Sequence, residues 1–313
     1  MEAPDNTRLT HPKAILVATN LSDLSRLMPF ALQMARESGA RLELLHALPI
    51  SAEFIADAAG MPYYSRQEAI SEAENMLEPW RERAKKLGLQ CAAIVRDGQP
   101  AVQEIVDAVN QFHPDRLILG TRSLSRLGKL LLGSVAEQVL RSANLPVFTI
   151  GPEAHLQENS GRQPTVLFAT TLGEGHQANA ALACHFAAAQ RAKLVMLHVL
   201  PALHEKQAYG CNALLEAITY ELHALAHRIG AESSTNVEIK VSHGNPASQI
   251  LAQAAAVRAN LIVMGAADHS LFDSITHDRT ICRVLAHASC PVLSLHGSTA
   301  QRVENQSEAV AAH

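Results

Sequence analysis

Short aliphatic runs alternate with helical patterns along the first half of the chain. The runs cover residues 13–19, 41–47, 90–95, 116–120 and 146–150, and they are bounded by glycine, proline or charged residues. Continuous apolar runs of this length are typical of strands that are buried on both faces of a parallel sheet. We therefore predict five parallel strands with helices between them.

The segments between the runs carry helical periodicity. Apolar residues recur at i, i+3 and i+4 spacing over residues 22–38, where Ser22 and Ser25 are candidate caps and Gly39 ends the pattern. The same reasoning predicts three further helices, which end near residues 87, 112 and 141. Alternating strands and helices predict a doubly wound sheet with right-handed crossovers.

The second half of the chain repeats the first at a period of about 150 residues. Five short segments recur in the same order, which is improbable by chance. They are AILVAT and VLFAT (14–19, 166–170), LLHALP and LHVLP (44–49, 197–201), DGQP and HGNP (97–100, 243–246), LILG and IVMG (117–120, 262–265), and LPV and CPV (145–147, 290–292).

The repeat predicts two homologous α/β domains, each with a five-stranded parallel sheet in the order 3-2-1-4-5. We place them at residues 1–152 and 163–297, with a polar linker between them and a polar tail at 298–313. Sheets of this kind bind ligands outside the carboxyl ends of the strands, where the strand order reverses. The expected crevice lies between strands 1 and 4.

Composition and charge narrow the class of protein. Hydrophobic residues make up 48% of the 313 residues and the formal net charge is −4, which argues against disorder and against electrostatic binding of nucleic acid or membranes. No apolar run reaches the roughly 18 residues needed to span a bilayer, and the polar start predicts no secretory signal. Five cysteines without a C-x-x-C pair indicate reduced thiols. We expect a cytoplasmic protein.

A basic stretch follows the fourth predicted strand. Gly120 ends that strand and allows close backbone approach, while Gly133 and Ser134 open a helix whose free N–H groups favour an anion. Residues 120–134 carry a local charge of +3, from Arg122, Arg126 and Lys129. Together these features predict a phosphate site, although a vestigial turn with solvated basic side chains is the alternative.

These residues resemble the universal stress protein family, and the resemblance covers nearly the whole chain in both copies. Nucleotide-binding members carry G-x2-G-x9-G-[S/T] between strand 4 and helix 4. Here Gly120, Ser123, Gly133 and Ser134 occupy those positions, with the spacing intact and serine in place of the middle glycine. The resemblance implies a tandem, two-domain member with a Rossmann-like fold.

The resemblance also implies a ligand and further site residues. Family members place an aspartate after strand 1 against the nucleoside, where this chain has Asn20, and backbone near Ala47 is expected to contact the base. The implied ligand is ATP or another adenine nucleotide, with Mg²⁺ only as its companion and no other metal. The implied role is a stress-response regulatory protein. The family's dimers suggest that strands at 146–150 and 291–295 pair across a pseudo-twofold axis within the chain.

The second copy has lost these features. Asp278 and Arg279 stand where Gly133 and Ser134 stand in the first copy, Thr171 replaces Asn20, and residues 265–279 carry a local charge of −2. A carboxylate at a helix start repels phosphate, so we expect nucleotide binding in the N-terminal domain only. We expect Asp278 to cap a helix instead.

Other functions remain open from sequence. A scaffold that binds another small molecule or a protein partner through an apolar pocket is the main alternative, and homodimerisation is undecided. A metal enzyme would need more than His223 and His227, which are spaced for one helix face. No general base or metal-holding acid is apparent in the loop, so any ATP hydrolysis is expected to be slow. His46 and His198 end equivalent strands, which favours packing or a backbone hydrogen bond over catalysis.

Overall fold

The computed structural model describes residues 11–48, 66–121, 134–142, 145–156, 161–173, 175–200, 211–233, 235–266 and 275–296. Strands and helices alternate in both halves. The first half contains β1 (Ala14–Thr19), α1 (Leu24–Ser38), β2 (Arg41–Ala47), α2 (Arg66–Lys86), β3 (Cys91–Arg96), α3 (Ala101–Phe112), β4 (Arg116–Gly120), α4 (Ser134–Ser142) and β5 (Val147–Ile150). The second half contains β6 (Thr165–Thr170), α5 (His176–Ala189), β7 (Lys193–Leu200), α6 (Cys211–Ser233), β8 (Val237–His243), α7 (Pro246–Ala256), β9 (Leu261–Ala266), α8 (Ile275–His287) and β10 (Val292–His296).

All the described strands belong to one sheet, in the order β3-β2-β1-β4-β5-β10-β9-β6-β7-β8. Within each half the pairs are parallel, which confirms the predicted 3-2-1-4-5 order. The halves join where β5 and β10 pair antiparallel, with Phe148 opposite Leu293. The predicted pairing of the fifth strands is therefore confirmed, and it lies within one chain.

Helices cover both faces of this sheet, as the continuous apolar strands require. β1 is buried at every position. Residues of α1, α2, α5 and α6 form one core with one face of the strands, and residues of α3, α4, α7 and α8 form the other core. Within each half, the carboxyl ends of the strands, where sheets of this kind bind ligands, form one edge of the sheet.

The start of α1 differs from the prediction. Asp23, and not Ser22 or Ser25, is the N-cap residue, and its side chain makes no capping hydrogen bond. The Ser22 hydroxyl donates instead to Asn20 Oδ1 at 2.8 Å. The expected serine caps are wrong because Asp23 takes the N-cap position, with its carboxylate turned toward the sheet edge, while the Ser22 hydroxyl is bonded to the Asn20 side chain. The predicted stop is confirmed, since the Gly39 N–H donates to the Ala35 carbonyl in a left-handed conformation.

A buried cation sits where the two halves meet. Arg116 is only 4% exposed, and its guanidinium carbon lies 5.3 Å from the ring centre of Phe148 and 5.1 Å from that of Phe186. The two rings are themselves edge to face at 6.0 Å. Burial lowers the pKa of Arg116 to about 10, so the side chain stays charged at neutral pH. One charged group thus contacts aromatic rings from β5 of the first half and α5 of the second.

The four cysteines whose side chains the structure describes are all free thiols. Burial raises the pKa of Cys91 to about 11 and that of Cys290 to about 12. A raised pKa keeps the neutral thiol, which is the unreactive form, dominant at pH 8. Cys91 and Cys290 are therefore expected to be slow nucleophiles in the folded protein.

Alkylation with iodoacetamide tests this expectation. The rate at Cys91 should rise about tenfold for each pH unit between 8 and 10, because the thiolate fraction grows at that rate below the pKa. Cys290, which is 1% exposed, should stay unmodified in the native state. Peptide mass spectrometry assigns each site, with Cys91→Ser as the control. A Cys91 rate that levels off below pH 9 would contradict the raised pKa.

Among the residues that the structure describes, no helix is both long enough and apolar enough to cross a membrane.

Candidate functional site

A crevice opens at the carboxyl ends of β1, β2 and β4, where the prediction placed it. Its cavity measures about 770 Å³, which is within the range of small-molecule and cofactor sites. We call the apolar lining residues the wall of the crevice. We call Thr19, Asp23, Arg26, Gly120 and Thr121 its floor. The lining comprises Ala18, Leu45, Ala47, Ala101, Ile105, Leu119, Val135 and Ala136 as apolar residues, and Thr19, Asn20, Ser22, Asp23, Arg26, His46, Gly120 and Thr121 as the remainder.

The turn after β1 shapes the floor. The Thr19 hydroxyl accepts from the Leu21 N–H at 2.9 Å and donates to Asp23 Oδ1 at 2.5 Å. Leu21 adopts the left-handed conformation, with φ of 70°, which is uncommon for a residue with a branched side chain. This turn directs the Asp23 carboxylate into the crevice, where the side chain is only 7% exposed.

Gly120 is required at the end of β4, for a reason other than the one predicted. A Cβ built on Gly120 would lie 2.1 Å from Asp23 Oδ2. We expected the missing side chain to admit ligand backbone contact. The space it leaves is instead filled by the Asp23 carboxylate. Helix α1 and strand β4 can therefore approach closely only with glycine at this position.

Arg26 closes the floor from the first turn of α1. Its Nη2 donates to the Thr121 carbonyl at 2.9 Å. The same atom lies 3.4 Å from the position of a Cβ on Gly120. A carboxylate and a guanidinium therefore converge above Gly120, so the described part of the crevice holds one negative and one positive group.

His46 is part of the scaffold of the crevice. Its Nδ1 lies 2.9 Å from the Thr19 carbonyl oxygen, and because a carbonyl only accepts, Nδ1 carries the proton. Burial lowers the pKa of His46, which favours the neutral ring at pH 7. His198 makes the same contact with the Thr170 carbonyl at 2.9 Å. The predicted backbone hydrogen bond is confirmed in both halves.

The structure places four of the predicted site residues. Asn20 is exposed at the rim, Ala47 is half-buried, and Gly120 lies at the base of the crevice. Ser134 is the first residue of α4, as expected for a helix that opens at the site. Arg122, Ser123 and Gly133 lie outside the described residues, so the glycine-containing loop stays a prediction.

Three residues of the floor were not predicted, namely Asp23, Arg26 and Thr121. Asp23 and Arg26 are three apart, which puts them on one side of a helix start. That spacing is common on solvated helices and carries no signal by itself. The contact that reveals their role joins Arg26 to Thr121, which is 95 residues away in sequence.

The second half has a different floor. The side chain against its equivalent glycine, Gly265, is Asn179, whose Nδ2 would lie 2.5 Å from an added Cβ. A neutral amide thus takes the place of the carboxylate. The expectation that Asp278 caps a helix is wrong, because α8 begins at Ile275 and Asp278 lies inside its first turn.

The part of the chain that the structure describes offers no cluster of metal-binding side chains. Within those residues, no group of three or more histidine, cysteine, aspartate or glutamate side chains is arranged to hold an ion. His223 and His227 both lie on α6 and are exposed. Two exposed ligands on one helix turn are fewer than a structural metal site requires.

Comparison with known proteins connects this fold to a family. A family model described as the universal stress protein family matches residues 12–151 and again residues 164–296. Universal stress protein YxiE of Bacillus subtilis is 28% identical over 144 residues, which cover 44% of this chain and 97% of that protein.

One solved structure shares the fold of nearly the whole chain. The crystal structure of a universal stress protein from Archaeoglobus fulgidus superposes with a TM-score of 0.68 at 21% identity, covering 91% of this chain and 98% of that one. A second structure from Archaeoglobus fulgidus, a universal stress protein in complex with dAMP, is 25% identical, with a TM-score of 0.34 over 44% of this chain and 96% of that one. With both halves matched by the family model and one sheet built from two like units, the chain belongs to the universal stress protein family as a tandem member.

Proposed function

We propose that this chain is a stress-response regulatory protein that binds one adenine nucleotide, ATP or AMP, in the crevice of its N-terminal half. The observation that carries the proposal is the shape of that crevice, a cavity of about 770 Å³ with an apolar wall and a polar floor at the β1–β4 switch point. Family membership supports the same ligand class.

The two sides of the crevice suit the two parts of a nucleotide. Leu45, Ala47 and Ile105 present an apolar surface to a base, and the expected backbone contact at Ala47 lies on this side. Asp23 provides a carboxylate that accepts hydrogen bonds from ribose hydroxyls. We propose that it supplies, from the start of α1, the charge that Asn20 lacks.

The phosphate side rests on the predicted loop. Ser134 opens α4 beside the crevice, and Arg122, Ser123 and Gly133 precede it in sequence. A helix start next to basic residues favours an anion. We propose no metal apart from Mg²⁺ that accompanies ATP, and no catalytic residue, so hydrolysis is slow at most. A cytoplasmic location and an unidentified protein partner complete the proposal.

Native mass spectrometry of freshly purified protein tests the ligand class. We expect one adenine nucleotide per chain, and isothermal titration with AMP should give a stoichiometry of one. Binding of two nucleotides per chain would contradict the restriction to the N-terminal half. Failure of AMP, ADP and ATP all to bind would contradict the proposal as a whole.

Exchange of Gly120 gives a prediction with a matched control. In Gly120→Ala the added Cβ collides with the Asp23 carboxylate and displaces the floor, so AMP affinity should fall about tenfold or more. Gly265→Ala creates the corresponding collision with Asn179 in the second half. It should leave AMP affinity unchanged. Equal affinity losses in the two variants would contradict the assignment of the site to the first half.

A second candidate function has one observation in its favour. A separate cavity of about 380 Å³ lies between the halves, lined on the α1 side by Phe30, Met34 and Glu37 and on the opposite side by Arg191 and Pro291. Because polar and charged side chains such as Glu37 and Arg191 lie among the apolar ones, this cavity suits a polar small molecule and is not the apolar pocket that the alternative expected. Copurification of a non-nucleotide molecule would favour it.

A further inference from the structure

Two polar atoms in the floor of the N-terminal crevice have no hydrogen-bond partner among the described residues. They are Thr121 Oγ1 and Arg26 Nε. Thr121 is only 3% exposed and lines the cavity together with Arg26. Buried polar atoms are nearly always hydrogen-bonded in folded proteins. Because both residues line the cavity, these two atoms are candidate contacts for a bound ligand.

The chemistry of the two atoms defines that ligand atom. Arg26 Nε carries a hydrogen and only donates, and a threonine hydroxyl can donate as well. The matching group is an acceptor oxygen, and the positive charge of the guanidinium favours an anionic one. The hydrogen bond from Arg26 Nη2 to the Thr121 carbonyl, at 2.9 Å, holds the two side chains in one place.

We propose that Arg26 and Thr121 bind a phosphate oxygen of the nucleotide, from the floor of the crevice and independently of the loop before α4. The inference rests on the proposed function, since it assigns these residues to the phosphate of that ligand. It adds a contact from α1 and the end of β4 to the phosphate contacts expected at the start of α4.

Asp23 limits how much charge this subsite attracts. A Cβ added to Gly120 would lie 2.1 Å from Asp23 Oδ2 and 3.4 Å from Arg26 Nη2, so the two charged groups are neighbours. At longer range the positive charge of Arg26 and the negative charge of Asp23 largely cancel. The subsite therefore holds one phosphate through direct hydrogen bonds, and it adds little attraction for further phosphates.

Titration of adenosine and AMP against matched variants tests the proposal. Arg26→Gln should weaken AMP binding about 10- to 100-fold, the range of a hydrogen bond to a charged group. Thr121→Val, which keeps the shape and removes the hydroxyl, should weaken AMP binding about 3- to 10-fold. Neither variant should change the affinity for adenosine, which has no phosphate.

Arg36→Gln is the control, because Arg36 lies in the last turn of the same helix and is exposed. It should bind AMP as the unaltered chain does. If the unaltered chain binds both ligands and Arg26→Gln binds AMP equally well, the subsite is refuted while the proposed function stands. If the unaltered chain binds neither adenosine nor AMP, the proposed function fails as well. Equal weakening of adenosine and AMP would also overturn the phosphate assignment.

Discussion

Gly133→Asp should abolish nucleotide binding in the N-terminal half. The substitution gives the first half the residue that the second half carries at the equivalent position, Asp278. A carboxylate within a few ångströms of a phosphate costs about 4 kcal/mol at an effective dielectric near 20. That corresponds to a loss in affinity of ~1000-fold. Isothermal titration with AMP measures it directly.

The reciprocal change provides the control for this experiment. Asp278→Gly should leave AMP affinity unchanged, because the second half also lacks the carboxylate floor and has Asn179 against Gly265. A Gly133→Asp variant that binds AMP with unaltered affinity would contradict the prediction that the loop before α4 binds phosphate. Thermal unfolding of both variants checks that neither substitution disrupts the fold.

Phe186→Ala should destabilise the first half of the chain although the residue lies in the second. The fully buried ring packs edge to face on Phe148 and contacts the Arg116 guanidinium. Removal of a buried phenylalanine costs about 3–5 kcal/mol, and here one of the two rings that contact the buried cation is lost as well. We expect the free energy of unfolding to fall by this amount in both halves, because they share one sheet.

The single tryptophan makes this coupling measurable. Trp80 lies in α2 of the first half, so its fluorescence reports unfolding there, while circular dichroism reports the whole chain. Both urea transitions should shift together in Phe186→Ala. Tyr220→Ala, at a side chain that is 75% exposed, should change stability by less than about 0.5 kcal/mol. A Trp80 transition that stays in place in Phe186→Ala would show that the junction does not couple the halves.

The sheet could be predicted from the sequence because its signal is local and repeated. The run at β1 is apolar at nearly every position and is buried throughout, and the same pattern returns at β6 with one half-buried position. Two copies of one order of elements, each with buried strands, leave few arrangements other than doubly wound sheets. Pairing of β5 with β10 followed from the family resemblance and not from the pattern itself.

The helix starts were harder to predict. Ser22 and Ser25 are good capping residues by type, but Asp23 takes the N-cap position and uses its side chain elsewhere. Capping preferences assume that a side chain is free to turn back to its own helix. At Asp23 the hydroxyl of Thr19, four residues earlier, holds the carboxylate toward the crevice, and this side-chain contact overrides the capping preference.

The floor of the crevice was not predictable from spacing. The family comparison directs attention to position 20, where Asn20 lacks a charge, whereas the structure supplies a carboxylate three residues later in sequence. The role of Asp23 is visible only from its close approach to Gly120. The role of Arg26 is visible only from its hydrogen bond to the Thr121 carbonyl. These contacts join elements that are distant along the chain, so a single sequence read locally does not contain them.

A crystal structure of the full chain grown with AMP tests the central claim most directly. We predict one nucleotide per chain, bound between β1 and β4, with its base near Leu45 and Ala47 and its phosphate within hydrogen-bonding distance of Arg26. Electron density for the nucleotide beside Gly265 in the second half, or in neither crevice at saturating AMP, would contradict the account.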